Sequence, residues 1–183
     1  MAILGAGIFY YATKPSYPAV VNIYQWRYNQ MQEPERIQAL TDYTKSINDS
    51  IERLNYSELL AWEHRHLTYT KDYLVSPRPE LPIPIIERGQ GRCGEFALLY
   101  TGLCLANNIP VRLVIDCSAK TDNRTAGDHV WNQVYISGEW ITVDPTENKV
   151  NQPYLYRDQW NKNVNLVYAI DESGIIDVTD RYA

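Results

Sequence analysis

The chain has 183 residues, of which 45% are hydrophobic and 21% charged, and its formal net charge is −5. That length and apolar content suit one globular domain with a real core and exclude a disordered chain. The acidic balance argues against a basic nucleic-acid surface or an attraction to anionic lipid, and three cysteines without a C-x-x-C pair exclude a dense disulfide framework or a four-cysteine zinc site.

Residues Ala2 to Ala12 (AILGAGIFYYA) are apolar and uncharged, and Lys14 and Pro15 follow. The run is shorter than the about 20 apolar residues that span a bilayer, and no basic stretch precedes it. It reads either as the end of a longer anchor or as an apolar arm packed on the domain, so membrane tethering and location stay open. Residues 1–18 are accordingly set apart from a single domain over 19–183. Glu33-Pro34 opens a helix, with proline in the first turn, and Ile37, Leu40, Tyr43, Ile47, Ile51 and Leu54 recur at three- and four-residue steps that carry it to about Leu54. A second helix is predicted from Ser57, read as its cap, to about Leu67. His64 and His66 are two apart and diverge on a helix, so they form no paired metal face and read as surface residues. Pro77 to Pro84 (PRPELPIP) is predicted to be non-helical.

Gly91-Arg92-Cys93-Gly94-Glu95-Phe96-Ala97 follows, and Glu95 to Asn107 is rich in Ala, Leu and Glu and reads as one helix. Cys93 then stands at a helix amino end, where unpaired N–H groups and the helix dipole ease ionisation of a thiol. Lone cysteines are mostly small core residues, so a second feature is needed. Past the stop signal Asn107-Asn108-Ile109-Pro110, Val111 to Asp116 reads as a buried strand. Cys104 lies eleven residues after Cys93, about 16 Å along a helix, which precludes a bridge between them and leaves Cys104 as core; Cys117 is either core or a weak partner for Cys104, with two free thiols favoured. Ser118 to Gly127 is a polar loop placed to line or gate a cleft.

The second feature is Gly127 to Pro145 (GDHVWNQVYISGEWITVDP), two strands joined at Ser137-Gly138. With those two residues as the turn, Ile136 pairs with Glu139, Trp131 lies opposite Asp144, and His129 lies opposite Thr146. His129 and Asp144 become diagonal neighbours on one face, roughly 7–8 Å apart at the backbone. A slip of one residue would separate them. The hairpin thus delivers a histidine oriented by an aspartate, the form in which imidazole serves as a base. Tyr154 to Trp160 comes next, and then two apparent strands, Asn165 to Ile170 and Ile175 to Thr179, that extend the sheet. No glycine-rich phosphate loop occurs, so nucleotide use is not suggested.

The set G-x-C-G-x-x-A opening a helix, I-P-x-R-L-V in the next strand, D-H-V-W-x-x-V-Y and W-x-x-V-D-P resembles the transglutaminase-like superfamily, and within it the core of peptide:N-glycanases. Gly91 to Glu95 matches their nucleophile motif and Asp128 to Trp131 their histidine motif. Asp177-Val178-Thr179 with Arg181-Tyr182 matches the end of their core, and Pro153 to Tyr156, Trp160 and Lys162 follow their pattern. Where those enzymes carry paired C-x-x-C zinc motifs this chain has Pro77 to Pro84, and Phe96 replaces a usual tryptophan.

The resemblance implies an α+β, papain-like fold in which a helical first part packs its nucleophile helix on an antiparallel sheet. It implies Cys93 as nucleophile, His129 as base and Asp144 as orienting residue of an amide-cleaving or amide-transferring enzyme, with hydrolysis favoured and no metal or cofactor. Arg92, Glu95 and Trp131 are candidate substrate contacts. The substrate would be a protein, peptide or glycopeptide. Glycan release, protein crosslinking, which the absence of a calcium-type carboxylate cluster disfavours, and binding by an idle site are the alternatives.

Overall fold

The computed structural model describes residues 17–71, 80–118, 129–151 and 165–182. The expectations for Ala2 to Ala12, for 119–127 of the polar loop and for Tyr154 to Trp160 lie outside them.

Helix α1, Ala19–Met31, buries Val20, Val21, Tyr24, Tyr28 and Met31 on one face. Helix α2, Pro34–Ser46, is shorter than the sequence periodicity predicts. Asn48 takes a left-handed conformation, φ 58°, which stops it, yet Ile51 beyond the stop is still fully buried. Helix α3, Tyr56–His66, is capped by Asn55 and not by Ser57. The Asn55 side chain accepts from the N–H groups of Ser57 and Glu58 at 2.9 and 3.1 Å, and Glu58 accepts the Asn55 N–H at 2.8 Å, a complete capping box.

The proline-rich stretch also departs from expectation, since Pro82–Arg88 forms helix α4. Pro82 and Pro84 fall in its first turn, where the missing N–H groups would have no intrahelical partner. Strands β1, Thr68–Tyr69, and β2, Gln90–Gly91, pair in parallel. They lead into helix α5, Cys93–Ala106, in which every residue from Gly94 to Cys104 is buried. A helix apolar on all sides needs cover on all sides. Helices α1 to α4 supply it on one flank, and the sheet supplies the other.

The sheet comprises β3 (Val111–Ser118), β4 (His129–Ile136), β5 (Glu139–Asp144), β6 (Lys149–Val150), β7 (Asn165–Asp171) and β8 (Gly174–Asp177). All pairs are antiparallel, in the order β6-β5-β4-β3-β7-β8. Ile136 pairs with Glu139 and Asn132 with Val143, the predicted register. Ser137 and Gly138 have φ of 53° and 93°, the signs a two-residue turn needs to match the strand twist. One sheet face joins the helices in the main core, and a smaller cluster of Val114, Trp131, Val167, Ala169 and Val178 lies on the other. A single antiparallel sheet packed on a helical first part is the α+β arrangement.

Candidate active site

Cys93 is the first residue of α5 and is half-buried, whereas Cys104 and Cys117 are buried, and all three are free. The Arg92 N–H donates to Glu95 Oε2 at 2.9 Å, so Glu95, 6% exposed, ties down the backbone immediately before Cys93. The half-buried Arg92 stands at the same turn. Burial pushes the Cys104 thiol far up, which marks it as an inert core residue.

On β4, His129 Nε2 lies 2.7 Å from Asp144 Oδ2. The imidazole also makes a side-chain hydrogen bond with Cys93, which leaves Nδ1 for the sulfur. Burial alone would lower the histidine pKa, but the bonds to Asp144 and Cys93 and the charges of both raise it to about 10. Asp144 is 1% exposed, and its Oδ1 accepts the Glu147 N–H at 3.2 Å, so the carboxylate is fixed at both oxygens. Trp131 is fully buried behind the imidazole, stacked at 5.7 Å and 19°, with Tyr182 edge-on to the indole at 5.4 Å. The fold thus gathers Cys93, His129 and Asp144, three side chains the sequence singled out, with Arg92 and Glu95 flanking the thiol and Trp131 behind the imidazole.

Two further side chains at the site, Glu63 and Tyr24, went unnamed, and two histidines were placed wrongly. The surface reading of His64 and His66 does not hold. His64 donates from Nε2 to the Pro145 carbonyl at 2.6 Å and packs 5.8 Å from the Phe96 ring. His66 stacks on Trp62 at 3.8 Å, with its Nδ1 2.9 Å from the Trp62 carbonyl oxygen. Glu63 is fully buried, neither of its carboxyl oxygens has a hydrogen-bond partner among the described residues, and burial together with the charge of Asp144 holds its pKa well above the carboxylate range. Tyr24, 6% exposed, places its hydroxyl where a side chain at Gly94 would begin, with Cζ 3.2 Å from that point. The repeated three- and four-residue spacing of Val20, Tyr24, Tyr28 and Met31 was the signal available for it. Among the described residues no three His, Cys, Asp or Glu side chains cluster as metal ligands, and no helix is long and apolar enough to cross a membrane.

Residues 38–145 match the family model described as the transglutaminase-like superfamily. The chain is 38% identical over 108 residues to a peptide-N(4)-(N-acetyl-beta-glucosaminyl)asparagine amidase of Arabidopsis thaliana, covering 58% of this chain and 14% of that protein. It is 36% identical over 129 residues to the enzyme of that name from Oryza sativa subsp. japonica, covering 67% of this chain and 27% of the relative. The matched region is therefore a small part of the relatives' length. Among solved structures, Rad4–Rad23 bound to a 6-4 photoproduct UV lesion shares the fold, with a TM-score of 0.58 and 16% identity over 87% of this chain and 45% of that one.

Proposed function

The chain belongs to the transglutaminase-like superfamily, and from that premise we propose that it is a cysteine-dependent amide hydrolase acting through Cys93, His129 and Asp144. The observation that carries this reading is the 2.7 Å contact between His129 Nε2 and Asp144 Oδ2 on an imidazole that also bonds Cys93. A nucleophile, a base and a group that orients the base are the parts an acyl-transfer site requires.

The Cys93 thiolate attacks the amide carbonyl carbon. A C–S bond forms, and the carbonyl π pair moves onto oxygen, where N–H groups at the start of α5 face it. Collapse of this intermediate expels the amine, which takes the proton from the His129 imidazolium and leaves a thioester. Neutral His129 then removes a proton from water as the water oxygen attacks, and the acid departs as the thiol is restored. Asp144 holds the imidazole in one orientation and stabilises its charge throughout. Arg92, beside the thiol and partly open to solvent, is the residue suited to touch substrate; Glu95 fixes the turn and Trp131 backs the base.

The substrate we propose is the side-chain amide of a glycosylated asparagine, a reading supported by the activity for which relatives 36–38% identical to this chain are named. The test is incubation with an N-glycosylated peptide and with its unglycosylated counterpart, followed by mass spectrometry. Glycan release with conversion of Asn to Asp, lost in Cys93→Ala, supports this reading. Backbone cleavage of either peptide supports a peptidase instead. No reaction, together with iodoacetamide alkylation of Cys93 no faster than that of a free thiol, refutes the enzyme and leaves the binding module.

A further inference from the structure

The first turn of α5 holds more than its backbone. Tyr24, from α1, reaches it with a hydroxyl that fills the space of a Gly94 side chain, and Gly94 is the residue directly after the proposed nucleophile. The ring is buried, 6% exposed, and among the described residues no hydrogen bond engages the hydroxyl. The hydroxyl itself is not sealed off: it is not one of the enclosed, unpartnered polar atoms of the described residues, so solvent reaches it at the end of a buried ring. Its charged and titratable neighbours are Cys93, Glu95, Arg92 and Cys117. Burial and the anionic members of that set keep the phenol neutral, so its oxygen carries a proton to donate. A substrate oxygen that enters beside Cys93 can take the place of that solvent.

We propose that the Tyr24 hydroxyl is a catalytic hydrogen-bond donor to the oxyanion that forms beside Cys93, complementing the N–H groups of the first turn of α5. The proposal rests on the cysteine-nucleophile reading. When the C–S bond forms and the carbonyl π pair moves to oxygen, Tyr24 O–H donates to that oxygen without giving up its proton, and when the pair returns the bond is released. The small residue at 94 follows from this arrangement, since a Cβ there would displace the hydroxyl.

Two reactions of the same thiol separate this role from a structural one. Acylation by 4-nitrophenyl acetate passes through an oxyanion; alkylation by iodoacetamide, a displacement at a saturated carbon, does not. In the wild-type full chain both should proceed at Cys93, the first as a one-equivalent burst of nitrophenolate and the second by mass spectrometry. Tyr24→Phe should slow the burst about 10²- to 10³-fold, in the range of a lost oxyanion donor, and leave alkylation within about twofold. Gly94→Ala, which pushes the hydroxyl aside without removing it, should show the same split and serves if Tyr24→Phe does not fold. Equal slowing of both reactions in the variants, or slowing of neither, overturns the donor role while the nucleophile stands. A wild type with no burst and ordinary alkylation overturns the nucleophile reading and this proposal with it.

Discussion

His129 and Asp144 stand on neighbouring strands two residues off direct opposition, on the same face, and the diagonal closes to 2.7 Å between Nε2 and Oδ2. Asp144→Asn keeps the shape and removes the charge. The His129 pKa should fall from about 10 toward the ordinary value near ~6.5, as read by NMR titration of the imidazole, and turnover should drop by about 10³- to 10⁴-fold. The sign of the stability effect follows from the raised pKa. The stabilisation from the charged imidazole is complete below the unfolded value, ~6.5, and is lost as pH rises through about 10. The melting-temperature gap between wild type and Asp144→Asn should therefore narrow between pH 7 and pH 10.5; a gap constant with pH would contradict the ion pair.

Glu63 should behave in the opposite way to a surface carboxylate. Its folded pKa lies above the unfolded value, so its favourable contribution is present below ~4.3 and is lost as pH rises toward the folded value. Glu63→Met, which fills the same space without a polar group, should stabilise the protein by about 1–3 kcal/mol at pH 8 and by less at pH 5. Urea denaturation at the two pH values reads this directly. A destabilised Glu63→Met protein at pH 8 would mean that the carboxyl has a structural partner.

Gly102 faces Pro82 across the α4–α5 contact, and a Cβ there would lie 2.5 Å from the proline Cγ and 3.3 Å from Leu40 Cδ2. Alanine would gain about 1 kcal/mol of helix propensity but must displace a rigid ring. Gly102→Ala should lower stability by about 1–2 kcal/mol, measured as a reduced denaturation midpoint with unchanged slope.

The capping box offers a change remote from the thiol. Asn55→Ala removes the acceptor for two N–H groups of α3 and should cost about 1 kcal/mol in denaturation. Alkylation of Cys93 should be unaffected; a changed rate would show that α3 sets the site through Glu63 and His64.

The hairpin was legible because a two-residue turn fixes register, and a period of two then decides which side chains share a face. Helix α5 was legible because its apolar run is continuous from Phe96 to Leu99 and beyond. Helix α1 was not, since Asn22, Gln25, Asn29 and Gln30 dilute its apolar stripe and Pro18 supplies no side-chain cap; contacts with α5 and β7 make it a helix of this fold. The same holds for Glu63 and His64. A glutamate and a histidine on a helix read as solvent-facing, and only the return of the chain at Asp144-Pro145 encloses them. Chemistry carried by adjacent strands was visible in one dimension, and chemistry carried across layers was not.

The central place of β3 has a consequence for how the chain is made. Val111 to Cys117 is buried along its whole length, with β4 on one side and β7 on the other. A ribosome delivers β4 directly after β3, but β7 starts only at Asn165. Until then a nascent chain holding the complete β3–β5 portion exposes the apolar edge of its innermost strand, which is a template for pairing with another chain. Stalled or truncated products ending before β7 are therefore the species most prone to aggregate, and the last strands act as a seal on a reactive core that is already built.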